Sequence, residues 1–223
     1  RLAAELEDHA FAVVDLSAGY ERYWATRSGN TRRKVNQKSR RIEDMGATVD
    51  GVLPADTGDV ESRIGRLIAV TEASYKLQGQ RLADRHRQFL AELCRRFAVR
   101  GMLSLPVLTI GGRDAACIGG IIERGCFYDV TLAYDESYAE LGPGVYLMQQ
   151  ALKRFSEGGV HTVVSHGAHE YKRHWASAFV PQTRIFLFAP RPLALAARVI
   201  RFGLRPLWQR LRAGTHTTAT ATD

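Results

Sequence analysis

The chain has 223 residues, 45% of them hydrophobic and 24% charged, which is typical of a globular domain with a sizeable core. It contains no run of about 18 apolar residues, so we expect no membrane-spanning helix. Its three cysteines, Cys94, Cys117 and Cys126, lack C-x-x-C spacing, which argues against a disulfide framework and a metal site and favours a reducing cytoplasm.

The net charge of +8 is concentrated in two segments. Residues 27–42 contain seven bases and no acid, and residues 184–212 contain seven arginines and no acid. The rest of the chain has 17 bases against 23 acids. Two basic islands on an acidic body indicate local anion sites rather than a continuous nucleic-acid-binding face.

The first half of the chain combines predicted strands with three helices. We expect strands at Phe11–Leu16 and Ala47–Leu53. Hydrophobic spacing and capping residues predict helices at Thr31–Met45, Val60–Lys76 and Leu82–Val99.

The second half of the chain changes to strands separated by glycine turns. Met102–Ile110, Ala115–Ile122 and Cys126–Tyr134 are predicted to form an antiparallel meander. A helix at Val145–Ser156 follows, and then strands at His161–Ser165 and Arg184–Phe188. This order predicts a mixed α+β domain.

The end of the chain differs in composition from the rest. We expect a folded domain over residues 1–189, a basic amphipathic segment over 190–212 and a disordered tail over 213–223. Arginines among apolar residues suit either a helix lying on anionic lipid or a helix docked on the domain. Because the chain begins at Arg1 rather than Met, we also expect that a segment is missing upstream.

The turn Gly142-Pro143-Gly144, between the strand that ends at Tyr134 and the next helix, is the most informative local feature. Proline suits the first turn of a helix, and glycine allows a ligand to approach the backbone closely. The amides of Gly144, Val145 and Tyr146 would then point out of the helix, a geometry that binds diphosphate. The same sequence also serves as an ordinary turn.

The order of these features resembles the GNAT-type acetyltransferase family of CelD-like proteins, which are linked to cellulose and exopolysaccharide synthesis. It is also similar to the Fem-type peptidyltransferases. The resemblance covers about residues 15–188. The matching motifs are the basic helix with Arg32-Arg33-Lys34, the helix start Pro143-Gly144-Val145-Tyr146-Leu147, and Gly167, Tyr171-Lys172 and Trp175 after the next strand.

This resemblance implies a GNAT fold, with a mixed and mostly antiparallel sheet flanked by helices, and an acyl-CoA donor such as acetyl-CoA without a metal. In that fold the pantetheine arm pairs with the strand before the diphosphate turn, here Tyr128–Tyr134. The implied donor-binding residues are Leu132, Tyr134, Gly142, Pro143, Gly144, Val145 and Tyr146. The family often has an acid in the strand before its glycine, whereas this chain has Val163-Val164-Ser165.

Residues 165–174 contain three histidines, a glutamate, a tyrosine and a lysine. Aminolysis of a thioester requires a neutral amine, so a base must remove or hold a proton. Candidate bases are His166, His169 and Glu170, the candidate acid is Tyr171, and Lys172 is a candidate for binding a phosphate or an acidic substrate. Alternatively, these side chains form a solvated face, and His166 with His169 has no evident third metal ligand.

Two further positions are candidates for contacting the acceptor. Strand alternation places Tyr128 and Asp129 on opposite faces. A buried Asp129 would need a partner, which makes it a candidate for recognising and deprotonating the substrate amine. On the basic helix, Arg33 is a candidate for binding an anionic substrate, although a solvated helix face paired with acids elsewhere on the body is the favoured interpretation of these residues.

The leading hypothesis is transfer of an acyl group, most simply acetyl, from CoA to a small-molecule amine or amino sugar in polysaccharide or cell-envelope biosynthesis. A Fem-like aminoacyl-tRNA-dependent peptidyltransferase is the alternative enzyme, and tRNA would then be its nucleic-acid partner. A third hypothesis is a GNAT-like binding module without catalysis. We expect a cytoplasmic protein, and peripheral contact to the inner membrane through residues 190–212 is an alternative to docking of that segment on the domain.

Overall fold

The computed structural model describes residues 3–74, 81–167 and 170–204. Its helices are α1 (Tyr20–Ala25), α2 (Gly29–Glu43), α3 (Val60–Glu72), α4 (Asp84–Val99), α5 (Pro143–Glu157) and α6 (Pro192–Arg198). Its strands are β1 (Ala3–Asp15), β2 (Thr48–Asp50), β3 (Leu103–Ser104), β4 (Val107–Ile110), β5 (Arg113–Glu123), β6 (Cys126–Tyr134), β7 (Thr162–His166) and β8 (Ala178–Phe188). Contacts divide the chain into a larger unit, residues 11–180, and a smaller unit, residues 1–10 with 181–223.

Helices α2 and α3 begin at side-chain caps and bury one stripe each. The Ser28 hydroxyl accepts a hydrogen bond from the Thr31 amide at 3.1 Å, and Asp59 accepts one from the Glu61 amide at 3.1 Å. These caps satisfy amides that have no partner inside the helix. The buried positions follow helical spacing: Val35, Ser39 and Ile42 in α2, and Ile64, Leu67 and Val70 in α3.

The sheet of the larger unit has the strand order β2-β4-β5-β6-β7-β1, and β3 also pairs with β5. Every pairing with a described register is antiparallel except that of β6 with β7. The predicted α+β fold with a mixed, mostly antiparallel sheet flanked by helices is therefore confirmed. The single strand expected at Met102–Ile110 is wrong, because Pro106 cannot donate to a ladder and the chain forms β3 and β4 on either side of it.

Strand β6 contains a bulge that changes which residues face the helices. Gly119 of β5 pairs with Thr131, but Gly120 pairs with Asp129, so Val130 is an extra residue on β6. Before the bulge, Phe127 packs on Phe155 of α5, with ring centroids 4.5 Å apart. After it, Leu132 and Tyr134 pack on that same core, because the extra residue shifts the alternation by one.

The smaller unit contains the start of β1 and most of β8, which are neighbours in the strand order. Helix α6 is followed by a π-helical turn at Val199–Leu204, and the Phe202 ring lies 5.2 Å from that of Phe186. Residues 205–212 of the predicted amphipathic segment, and the predicted tail 213–223, lie outside the described residues. Among the helices that the structure describes, none has the length and apolar character needed to cross a bilayer.

A network of ion pairs joins α3 to the edge of the sheet. The Arg66 guanidinium binds both carboxylate oxygens of Asp114, at 2.8 and 2.7 Å, and also contacts Asp50 at 3.0 Å. These hydrogen bonds hold the pKa of Asp114 below its ordinary value. The pKa of Asp114 is therefore lower in the folded chain than in the unfolded chain. The ionised carboxylate stabilises the fold at a pH above its unfolded pKa, and this stabilisation is lost as the pH falls through the folded pKa.

We therefore expect Asp114→Asn to reduce the free energy of unfolding by about 1–2 kcal/mol at pH 7. Urea titrations of the variant and the wild type measure this difference. The difference shrinks as the pH falls below the ordinary pKa of an aspartate, because the unfolded wild-type chain then takes up a proton that the folded chain binds more weakly. An equal difference above and below that pKa would contradict the assigned role of the Asp114 charge.

Candidate active site

Strands β6 and β7 run side by side for a short distance and then separate. Their parallel ladder consists of Cys126 with Thr162, Phe127 with Val163 and Tyr128 with Val164. Beyond Tyr128, β6 stays paired with β5 as far as Tyr134, and β7 stays paired with β1. The two strands thus form a fork, which here means the space between β6 and β7 beyond their last pair.

A cavity of about 530 Å³ lies at the fork. Its lining comes from the facing strands, from the turn before α5 and its first residues, and from the segment after β7. The lining residues are Ala12, Val14, Lys38, Leu132, Tyr134, Ala139, Gly142, Pro143, Gly144, Val145, Met148, Val163, Ser165, Lys172, Trp175 and Ala176. Its size is within the usual range for small-molecule sites.

Six of the seven predicted donor-binding residues line this cavity: Leu132, Tyr134, Gly142, Pro143, Gly144 and Val145. Tyr146 does not, because it is 5% exposed and packs into the core. Burial raises the pKa of the Tyr146 phenol, which therefore stays neutral at physiological pH.

The turn before α5 presents fewer free amides than expected. Gly142 is in the left-handed region with φ of 70°, and its carbonyl accepts from the amides of Val145 at 3.0 Å and Tyr146 at 3.3 Å. The expectation that these two amides are free is wrong, because the first turn of α5 already uses them. Among the described residues, the Gly144 amide has no hydrogen-bond acceptor.

Asp129 joins the two strands at the point where their ladder ends. Its carboxylate accepts hydrogen bonds from the Ser165 hydroxyl and, at 2.8 Å, from the His166 amide. The Lys172 ammonium lies 3.9 Å from this carboxylate and donates to the His166 carbonyl. The Asp129 carboxylate therefore lies at the end of β7, although β7 itself has no acidic residue in Val163-Val164-Ser165.

This polar cluster is largely shielded from water. The Asp129 and Lys172 side chains are 13% and 8% exposed, and Ser165 is buried. A buried charge is stable when it is paired and hydrogen-bonded, and the carboxylate and ammonium meet that condition here. Ser165 and Lys172 also line the cavity, so the cluster is placed where a reacting group could reach it.

Residues of α1 and of the turn after it bind the main chain of the cavity-lining segment that follows β7. The Tyr23 hydroxyl donates to the Trp175 carbonyl at 2.8 Å, and the Arg27 guanidinium donates to the Ala176 carbonyl at 2.6 Å. The rings of Trp24 and Trp175 stack with centroids 6.0 Å apart. Burial raises the pKa of Tyr23 above its ordinary value, so this phenol acts as a donor rather than as a base.

The other predicted residues do not line the cavity. Tyr128 is 40% exposed. The His166 ring packs against Phe11, with centroids 5.1 Å apart. Arg33 is exposed on α2 and donates to Asn30 at 3.3 Å.

The structure leaves part of the 165–174 cluster undescribed. His169 lies outside the described residues, as do the side chains of Glu170 and Tyr171. Within the described part of the chain, no group of three or more histidine, cysteine or acidic residues is arranged to hold a metal ion.

Sequence reasoning missed Ser165 and Lys38 as cavity residues. The position of Ser165 was predictable from the sequence, because alternation along β7 puts it on the same face as the buried Val163. The position of Lys38 at the cavity could not be predicted from the sequence, because it depends on how α2 packs against the turn before α5. If Gly142 carried a Cβ, that atom would lie 2.8 Å from Nζ of Lys38.

Residues 29–173 match the family described as acetyltransferase (GNAT) domain. The fold is similar to the C-terminal domain of a putative lysylphosphatidylglycerol synthetase from Agrobacterium fabrum (TM-score 0.57, 13% identity, 88% of this chain and 66% of that chain). It is also similar to L-PGS from Bacillus licheniformis (TM-score 0.58, 14% identity, covering 88% of this chain and 65% of that chain). FemX is a third similar structure (TM-score 0.57, 10% identity, covering 80% of this chain and 61% of that chain).

This chain therefore spans just under two thirds of each of these three structures, and at such identities the similarity concerns the fold alone. No curated protein matches the sequence.

Gly142→Ala should destabilise the protein by about 1–3 kcal/mol, because alanine is strained at positive φ and its methyl group would displace Lys38. Urea unfolding measures the loss. Gly144→Ala is the matched control: its Cβ would lie at ordinary distances of 3.7 Å from Tyr134 and 3.8 Å from Leu132. Equal stability of Gly142→Ala and Gly144→Ala would contradict the conformation described for the turn.

Proposed function

Because this chain belongs to the acetyltransferase (GNAT) domain family, we propose that it transfers an acyl group, most simply acetyl, from CoA to an amine. The observation that carries this proposal is the cavity at the fork, whose lining includes the turn before α5 as well as Ser165 and Lys172, the two residues that contact the Asp129 carboxylate. The turn and these polar residues suit the two ends of an acyl-CoA, which are a polar diphosphate and a reactive thioester.

The donor would lie with its pantetheine arm between β6 and β7. Leu132 and Tyr134 provide an apolar wall on one side, and Val14 and Val163 provide one on the other. Main-chain groups of β6 that no longer pair with β7 can hydrogen-bond to the amides of the arm. The diphosphate would lie at the Gly144 amide, where the N-terminus of α5 also favours negative charge.

The thioester would then lie beside the Asp129 cluster. In aminolysis the amine nitrogen forms a bond to the carbonyl carbon, the C–S bond breaks, and CoA leaves as a thiolate that takes up a proton. We assign Asp129 as the base that accepts the amine proton, with Ser165 and the His166 amide fixing its orientation. The remaining predicted groups for proton transfer are His166, His169, Glu170 and Tyr171, and Lys172 supports the Asp129 carboxylate.

Acetyl-CoA should raise the melting temperature of the protein by about 5 °C at a hundredfold excess over its Kd. Gly144→Glu should abolish this shift, because it places a carboxylate in the cavity at the diphosphate position. Gly29→Glu is the matched control, since it adds the same group at the start of α2 with no atom within 4 Å of its Cβ. A flat response to acyl-CoAs of every chain length would contradict the proposed donor.

Asp129→Asn should lower acyl transfer by about 10²–10⁴-fold, the range expected for a lost general base. Thiol release from acetyl-CoA in the presence of amino sugars, polyamines and amino acids measures the rate. The thermal shift with acetyl-CoA should persist, which separates catalysis from donor binding. Asp44→Asn, at the C-cap of α2, is the control. Undiminished transfer by Asp129→Asn would reject this base.

The resemblance to CelD-like proteins favours an amino-sugar acceptor in polysaccharide or cell-envelope synthesis. Tyr128 and Arg33 are the remaining candidates for contacting it outside the cavity. A rate that is highest with amino sugars in the thiol-release assay would support this acceptor class, and a preference for amino acids or polyamines would reject it.

An aminoacyl-tRNA donor is the second candidate, in line with the Fem-type resemblance and the similarity to FemX in fold. The exposed cations of α2 favour it, because phosphate backbones bind such surfaces in a strongly salt-dependent way. It predicts tRNA binding that weakens steeply with salt and is lost when Arg32, Arg33 and Lys34 are reversed in charge. Salt-insensitive or absent tRNA binding would reject it.

Peripheral membrane contact through the predicted segment 190–212 is a further proposal. Leu193 and Ile200 are exposed beside Arg198 and Arg201 in the described part of this segment. Apolar and basic side chains together suit an anionic lipid surface. Sedimentation with anionic liposomes that is lost on deleting residues 190–212 tests this contact. If the chain is a GNAT-like module without catalysis, this binding would occur without any response to CoA.

A further inference from the structure

Helix α2 exposes cations that have no acidic partner among the residues that the structure describes. Within residues 3–74, 81–167 and 170–204, no ion pair involves the basic residues of this helix, which are Arg32, Arg33, Lys34, Lys38, Arg40 and Arg41. By contrast, five arginines of α3 and α4 pair with carboxylates: Arg63, Arg66, Arg87, Arg95 and Arg96. The described residues thus provide no acidic partner for this helix face, whose side chains at Arg32, Arg33, Lys34, Arg40 and Arg41 are exposed.

Lys38 is the cation that connects α2 to the cavity. It lines the cavity together with Gly142, Pro143 and Gly144, and a Cβ at Gly142 would lie 2.8 Å from its Nζ and 2.9 Å from its Cδ. Because the turn provides a single free amide, at Gly144, main-chain groups alone supply little of what a doubly charged diphosphate needs. Lys38 is a cation at the same turn and the same cavity.

Two more cations continue from Lys38 along the same side of α2. Lys34 lies four residues before it and Arg41 three residues after it, spacings that place side chains about 5–6 Å apart on one helix face. Both side chains are exposed. Arg33 and Arg40, seven residues apart, fall on another side of the helix, away from the cavity-lining Lys38. Lys34, Lys38 and Arg41 together are called the α2 stripe below.

We propose that the α2 stripe binds the phosphates of CoA, with Lys38 at the diphosphate and with Lys34 and Arg41 at the ribose 3′-phosphate. The inference rests on the proposed function, since it concerns the donor of that reaction. CoA carries a third phosphate on the ribose that adjoins its diphosphate, and Lys34 and Arg41 lie on the same face of α2 as Lys38, with no ion pair to any of the described residues. The protein should therefore distinguish CoA from 3′-dephospho-CoA, which has the same pantetheine arm and diphosphate.

Calorimetric titration of the full chain with CoA and with 3′-dephospho-CoA tests this inference. We expect wild-type protein to bind CoA about tenfold or more tightly, the scale of one or two charge-assisted contacts. The double variant K34Q/R41Q should lose this preference by weakening CoA alone, so that both ligands bind equally. Arg40→Gln, which removes one charge from another side of α2, should leave the preference intact.

Three outcomes would overturn the inference. Equal binding of both ligands to the wild type would do so while leaving the proposed donor in place. A loss of preference in Arg40→Gln as large as that in K34Q/R41Q would assign the effect to net charge rather than to the stripe. No binding of either ligand would reject the proposed donor itself, and tRNA binding lost in K34Q/R41Q would then assign the stripe to RNA.

Discussion

The separation of β6 from β7 after Tyr128 and Val164 is the constraint on which the rest of the site depends. A parallel pair that continued to Tyr134 would leave no cavity and would use the main-chain groups that we assign to the donor. The bulge at Val130 turns Leu132 and Tyr134 toward the opening. Its partner Gly120 has no room for a side chain, since a Cβ there would lie 2.4 Å from the Tyr128 carbonyl oxygen.

The helices around the fork are held by contacts that also shape the site. Ser39 of α2 donates to Gln149 of α5 at 2.6 Å, both buried, and this contact fixes the position from which Lys38 reaches the turn. Tyr20 donates its amide to Ser156 at 2.9 Å, which ties α1 to the other end of α5. The residues that pack α5 therefore also orient the side of α2 that carries Lys38.

Hydrophobic periodicity and turn residues predicted most helices and strands, and they predicted those cavity residues that are close together in the sequence. Strand β6 occupies the predicted Cys126–Tyr134, and the cavity residues from Leu132 to Val145 belong to one strand, turn and helix that are continuous in sequence. The contacts of Asp129 with Ser165 and of Lys38 with Gly142 join distant segments, so only the register of parallel strands and the packing of helices determine them. Pro106 marks the break between β3 and β4 in the sequence itself, because a proline cannot donate to a strand ladder.

Hydrogen–deuterium exchange with and without acetyl-CoA tests the central claim most directly, because the donor must pair with main-chain groups of β6 beyond the fork. Slower exchange is predicted for amides of residues 130–134 and 144–148, with little change in α3 and α4. Protection confined to other parts of the chain, with residues 130–134 exchanging as before, would show that the fork does not receive the donor.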